Sequence, residues 1–272
     1  MTLSTIRNNP AKQKKVKTKK QKAIAATCAV AFWLLVWHVV SLCVGSELVL
    51  VSPVKVVQTL FTVIFDPDFL KTVWYSAARI LGGFFTALTL GTVLGWVASR
   101  FWVVETLLHP ITAVIKATPV ASFIILVLLW FSGKNLSVII SMLMVFPVIY
   151  MNVLEGIRSA DEKLLEMAQV FRLSVGKKLL YIYLPAVAPF FVSACSVSLG
   201  LCWKSGIAAE VIGTPDGSIG AVFYQAKIFL QTSELLAWTV VVVAVSVAFE
   251  KLFMFLLRLI LKKLKMEDVL NC

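Results

Sequence analysis

The chain is short of charge and lacks the short motifs that mark the common enzyme classes. Only 15% of its 272 residues are Asp, Glu, Lys or Arg, against about 25% in an ordinary soluble domain. No G-x-x-x-x-G-K-[ST] occurs, so no loop of that kind cradles nucleotide phosphates. H-E-x-x-H and G-x-S-x-G are absent too, which removes the usual signals of a zinc peptidase or a serine lipase. The five cysteines (Cys28, Cys43, Cys195, Cys202, Cys272) form no C-x-x-C pair. Cys195 and Cys202 are seven residues apart on one helix face, too far to bridge, so free thiols are expected throughout. His38 and His109 are remote from each other and have no partners at ligand spacing; a structural role is expected for both.

What the chain has instead is apolar sequence. Hydrophobic residues make up 60% of it, where about 45–50% is usual. A bilayer span needs about 20 mainly apolar residues, and backbone groups in lipid must pair within the segment, so the spans are expected to be helices. The fold class is therefore an all-α polytopic membrane protein with about six transmembrane helices. The expected spans are 23–44, 77–99, 107–130, 136–154, 186–201 and 235–257. Pro110, Lys116 and Thr118-Pro119 interrupt the third. Residues 52–65 carry Val56, Leu60, Val63 and Ile64 at helical spacing and read as an amphipathic surface helix, with the start of an extra span as the alternative. Gly91 and Gly95 form a Gly-x-x-x-Gly pair suited to close helix packing.

The net charge of +12 could suggest nucleic acid, but its placement argues otherwise. Lys12, Lys14, Lys15, Lys17, Lys19, Lys20 and Lys22 precede the first apolar run, and Arg258, Lys262, Lys263 and Lys265 follow the last. No aromatic residue interleaves the N-terminal lysines. Positive charge of this kind marks cytoplasmic segments. With Arg100, Arg158, Lys163, Arg172, Lys177 and Lys178 on the same side, both termini are expected in the cytoplasm of a multi-pass plasma-membrane protein. The expected layout is a basic, unstructured N-terminal tail (1–22), a transmembrane domain (23–262) and a cytoplasmic C-terminal tail (263–272).

One long polar interval, residues 159–185, breaks the second half. Ser159 and Glu162 have capping-box spacing. Leu164, Ala168 and Phe171 recur as one apolar helical face, and Ser174 can cap a second short helix. Pro185 is expected to kink the chain as it re-enters the membrane. By pattern alone this is either a solvated loop or a pair of surface helices that meets another protein.

Elsewhere, charges at membrane depth are costly and usually functional. Lys116, Lys204, Glu210 and Glu250 are the candidates. Lys204 and Glu210 could line a translocation path or pair across helices; the alternative is that both lie at an interface, where a lysine can snorkel. Glu250-Lys251 reads as an interfacial pair.

Glu166, Met167 and Ala168, then Ser174, then Leu184-Pro185 resemble the EAA loop of permease subunits of ABC importers. Met167 stands where that pattern has Ala, and Arg172 where it has Gly. Ser52-Pro53, Arg79 with Gly82-Gly83, Thr118-Pro119, Phe146-Pro147, Asn152 with Gly156, Ala209-Glu210 and Gly217 to Gly220 extend the resemblance to the nitrate/sulfonate/taurine-type branch of binding-protein-dependent permeases. The resemblance implies a type I ABC importer permease fold with a cytoplasmic coupling-helix loop at 159–185. It implies two cytoplasmic ATPase subunits that bind ATP, a second and usually identical permease copy, and an extracytoplasmic substrate-binding protein. No cofactor on this chain, no nucleic acid and no catalytic site of its own are expected. Leu165, Glu166, Met167, Ala168, Phe171, Arg172, Leu173 and Ser174 would meet the ATPase. Nitrate, sulfonate or taurine is the implied cargo, with a thiamine-precursor pyrimidine or another small molecule as the alternative. The rival readings are a polytopic membrane enzyme, for which no convergent acid, base or metal groups are found, and a membrane scaffold.

Overall fold

A computed structural model describes residues 19–263. The tail lysines at 12, 14, 15, 17 and 265, and Cys272, lie outside the described residues. Every regular element among the described residues is helical: α1 (Lys19–Val44), α2 (Pro53–Ile64), α3 (Phe69–Arg100), α4 (Trp102–Ala117), α5 (Val120–Trp130), α6 (Gly133–Arg158), α7 (Glu162–Val170), α8 (Val175–Lys178), α9 (Leu184–Gly213), α10 (Ile219–Ile228) and α11 (Thr232–Lys263). Five stretches are long and apolar enough to cross a bilayer: Ile24–Val44, Phe69–Arg100, Gly133–Arg158, Val175–Gly213 and Thr232–Lys263. The pair α4 and α5 makes a sixth if counted as one span.

The chain divides into two units within α2, after Lys55. In the first, α1 ends at Val44, and Gly45 turns the chain with a positive φ of 65°. Ser41 Oγ then donates to the Leu50 carbonyl (3.0 Å), and Lys55 pairs with Glu47.

The second unit is built on α3, α6 and α9. Their shared core holds Ile80 and Phe84 from α3, Val145 and Ile149 from α6, and Leu199 and Trp203 from α9. Close approach of α3 and α6 depends on a stripe of small residues at four-residue spacing: Gly83, Ala87, Gly91 and Gly95. A Cβ on Gly91 would come within 3.0 Å of Ile149 Cβ, and one on Gly95 within 3.0 Å of the Tyr150 carbonyl. Helices in lipid gain little from hydrophobic exclusion, so this intimate packing is what holds them together. α11 covers the core with Trp238 and Phe253, the latter edge-on to Phe84 at 5.3 Å between ring centres. α2 contributes Leu60 and Val63. At 12 residues it is about 18 Å long, too short to span, in keeping with an amphipathic surface helix.

Two expectations need correction. The second span begins at Phe69 rather than 77, because Phe69, Thr72, Val73 and Ser76 keep the helical period and pack inward despite Lys71 and Tyr75 between them. The third is interrupted at Thr118-Pro119, as expected: α4 and α5 form a pair bent by 110°. Thr118 before Pro119 is extended (φ −83°, ψ 133°), as a residue preceding proline prefers. The fifth runs helically from Val175 to Gly213 without a break at Pro185. A π-turn, residues 179–183, precedes that proline, with the Leu184 N–H bonded to the Leu179 carbonyl. Widening the helix there makes room for a ring that would clash with an ordinary turn.

Candidate coupling loop and translocation path

The 39-residue helical stretch Val175–Gly213 is about 58 Å long, and a bilayer core is about 30 Å thick. Part of it must therefore project beyond the bilayer, and α7 packs against that part. Ala160, Ala168 and Ile182 form a small buried cluster, with Leu165, Leu173 and Tyr183 around it. The loop is thus a folded knob rather than a slack connection.

Its helix starts differently from the capping-box expectation. Ser159 ends α6, its Oγ donating back to the Gly156 carbonyl (2.8 Å). Asp161 is the cap, its Oδ1 accepting from the Lys163 N–H at 2.9 Å. Ser174 stands at the N-cap of α8 without a side-chain capping bond.

The end of α7 explains Arg172. The Leu173 N–H donates to the Ala168 carbonyl (2.9 Å) and the Arg172 N–H to the Gln169 carbonyl (3.0 Å). Those two bonds are a Schellman motif, which places Arg172 at the left-handed position that glycine usually fills. Its φ is +50°. An L-residue there costs roughly 1–2 kcal/mol, so the turn is kept and the arginine is strained. Arg172→Gly is expected to leave the loop fold unchanged and raise stability by up to about 1 kcal/mol. Thermal unfolding of the purified protein checks this; a lower midpoint would contradict the motif.

Residues singled out in the loop separate by face. Ala168 is fully buried, so its contact is with Ala160 and Ile182 of its own chain; it is removed from the set expected to meet a partner. Leu165 and Leu173 are half-buried by the same cluster. Glu166 is exposed beside Glu162, Gln169, Lys178 and Tyr183 in a groove of about 370 Å³. Met167 and Phe171 are exposed, and so are Val170 and Val175, which the sequence reading passed over. Their signal was legible as apolar residues flanking the turn. Leu164 and Phe171 do not join Ala168 in its buried cluster, as helical spacing had suggested; both are exposed, Phe171 the more so.

Lys204 and Glu210 are not brought together. Six residues apart is about 1.7 helical turns, so they point roughly 120° apart around α9, Lys204 exposed and Glu210 buried completely. No ion pair joins them. Glu210 sits instead at the meeting point of four helices. Its Oε2 accepts from Ser76 Oγ of α3 (2.6 Å) and, more distantly, from the Gly220 N–H of α10 (3.4 Å). Ser76 Oγ in turn accepts from the Ile219 N–H (2.9 Å). Carboxyl and hydroxyl together thus occupy the N-terminus of α10, where N–H groups lack helical partners. Ser218 caps the same end, accepting from the Ala221 N–H (3.0 Å). Close by, Arg79 donates to Tyr75 Oη (3.0 Å) and to Asn135 Oδ1 of α6 (3.2 Å). Glu210, Ser76 and Ser218 are closed to solvent and tie the helices together, whereas Asn135 at the edge of the cluster is exposed. Glu250 accepts from Ser196 Oγ (3.0 Å), linking α11 to α9 instead of pairing with Lys251.

A bundle of helices long and apolar enough to cross a bilayer, with a folded loop between two of them, is the architecture of a polytopic membrane protein. The chain belongs to the family described as binding-protein-dependent transport system inner membrane component, whose model matches residues 87–266. It is the membrane permease part of such a system rather than its ATP-hydrolysing subunit, and the family implies ATPase and binding-protein partners. Over 84% of this chain and 83% of the relative, it is 29% identical to the provisionally named aliphatic sulfonates transport permease SsuC of Bacillus subtilis (strain 168). It is 27% identical to the taurine transport system permease TauC of Escherichia coli (strain K12), over 79% and 80%. With the nitrate import permease NrtB of Synechocystis it shares 25% identity, over 75% and 76%. Among solved structures, an amino acid ABC transporter determined with histidines has the same fold, with a TM-score of 0.51 at 16% identity. That match covers 71% of this chain and 96% of the other.

Proposed function

We propose that two copies of this chain form the translocation path of an ATP-driven importer for a small oxyanion, such as a sulfonate, taurine or nitrate. An extracytoplasmic binding protein delivers the cargo, and two cytoplasmic ATPases drive the cycle through residues 159–185. The observation that carries this reading is the exposed apolar surface of the folded loop, formed by Met167, Val170, Phe171 and Val175. A knob outside the bilayer has no lipid to cover such a patch, so a protein partner is its natural occupant. Arg100, Arg158, Lys163, Arg172, Lys177 and Lys178 lie in or beside this loop, which supports reading it as cytoplasmic; the lysine-rich sequence at both termini supports the same side for them. The layout is then a basic tail, a transmembrane domain ending near 262, and a short cytoplasmic tail. Cargo class rests on the relatives, whose names refer to sulfonates, taurine and nitrate.

ATP binding would close the two ATPases on each other, move the two knobs with them, and so switch access from outside to inside. Ligand at each end biases one two-state element. The test is copurification from mildly solubilised native membranes. Wild-type chain is expected to bring down an ATPase carrying a P-loop, Arg172→Gly to do the same, and Glu166→Arg to lose it. Equal retention by the two variants would move the contact elsewhere, and absence of any ATPase from the wild type would overturn the reading.

A further inference from the structure

Between α4, α6 and α9 the bundle is cleft. One groove of about 320 Å³ is lined by His109, Thr112, Ala113, Lys116 and Met151. The next, about 430 Å³, is lined by Lys116, Met151, Asn152, Glu155 and Phe190. Lys116 and Met151 belong to both, so the two make one furrow with the lysine at its centre. His109 and Lys116 are seven residues apart and therefore share a face of α4.

Lys116 is exposed, and its hydrogen-bond contact is with Met151 Sδ at 3.4 Å, a weak acceptor. It is in neither of the ion pairs formed among the described residues, Lys55–Glu47 and Arg158–Glu105. Met151 lies seven residues before Arg158, which places the ammonium about 10 Å inward from that end of α6. A cation set back from the helix end on an apolar bundle, with no ion pair among the described residues, is a functional candidate. The furrow is open, and the lysine is free to meet a ligand there.

We propose that Lys116 is the cation that receives the negatively charged group of the cargo in the cytoplasmic half of the path. This rests on the orientation and oxyanion class proposed above. Asn152, whose Nδ2 donates to the Val148 carbonyl (2.8 Å), lines the same groove as the lysine. Glu155 lies a further turn toward the cytoplasm on the Met151 face of α6. A carboxylate in the same groove weakens the lysine's hold on an anion and so keeps binding shallow enough for release, as conduction requires. The arrangement selects by charge and leaves the shape of the cargo to the binding protein.

The test uses the full importer, this chain with its ATPase and binding protein, in proteoliposomes of phosphatidylcholine with and without phosphatidylglycerol. Labelled taurine, nitrate and ethanesulfonate are the probes. Wild type is expected to take up at least one of them with ATP. Lys116→Gln should lower that uptake roughly tenfold or more, and Lys116→Arg should hold it within about threefold. Lys251→Gln, on α11 outside the furrow, should leave it unchanged. Undiminished copurification of Lys116→Gln with the ATPase shows that the fold is kept; Lys116→Met carries the same test if the glutamine variant does not assemble. Uptake by the neutral variants equal to wild type overturns the role of Lys116 while leaving the proposed function standing. No uptake of any probe by wild type overturns the oxyanion reading and this inference with it. A loss confined to vesicles with phosphatidylglycerol would assign the lysine to a lipid phosphate and overturn it too. So would failure of both neutral variants to assemble, which would make the lysine a folding determinant.

Discussion

Gly220→Val is expected to remove most of the folded, monodisperse protein from detergent extracts, whereas Glu210→Gln should be recovered near wild-type yield. Gly220 lies against the backbone of α9. A Cβ there would overlap the Glu210 backbone carbon, Glu210 Cβ and the Val211 nitrogen. None of those atoms is the movable end of a side chain, so α10 itself has to shift. Overpacking alone costs about 1–3 kcal/mol. The shift also breaks the Ile219 and Gly220 N–H bonds to Ser76 and Glu210. Each polar group left buried without a partner costs about 1–3 kcal/mol more. Together these approach the whole stability of an ordinary domain, about 5–15 kcal/mol. Glutamine keeps the volume of Glu210 and an oxygen that can accept from Ser76. Fluorescence-detected size exclusion before and after heating reads both variants. A Gly220→Val peak matching wild type would mean that α10 is not seated against Glu210.

That node also shows where reading the sequence stops. Helices α1, α6 and α11 were legible because each is a long apolar run, a local property of the chain. The first eight residues of α3 were not, since Lys71 and Tyr75 broke the run even though the inward face kept its period. Thr118-Pro119 announced an interruption, but the 110° bend depends on how Ile124 and Val127 pack against Leu136 and Ile140. Glu210 was legible as a costly charge at membrane depth. Its partner, Ser76, is 134 residues away, and no spacing rule reaches across that distance. A polar residue on an apolar helix therefore reads the same whether it lines a path or ties helices together. In the loop the reverse holds. The Glu166 to Pro185 pattern was readable, and local bonds at Asp161 and Arg172 fixed its geometry. The division of its apolar residues into buried Ala168 and exposed Phe171 came only from contact with Ile182.

Phe171→Asp is expected to uncouple the importer while leaving the permease folded. Phe171 is 71% exposed and directly follows α7, with Met167, Val170 and Val175 exposed around it. Because little of the ring is buried by its own chain, replacing it should shift the thermal midpoint of the isolated permease very little. In an ATPase cleft the balance is different. An aromatic anchor in a desolvated pocket typically contributes about 2 kcal/mol or more, and an aspartate in its place adds an unpaired carboxylate where water is excluded. The ATPase should then bind at least about 30-fold more weakly. Copurification would fall to background, and ATP-driven uptake would stop. Binding-protein docking at the far end of the bundle should persist. Phe171→Leu, which keeps apolar volume, should retain most of the ATPase. The pattern separates coupling from folding, because a structural role would lower the thermal midpoint in proportion to the lost ATPase. Undiminished ATPase retention by Phe171→Asp would exclude this surface as the contact, whatever the family resemblance of the loop.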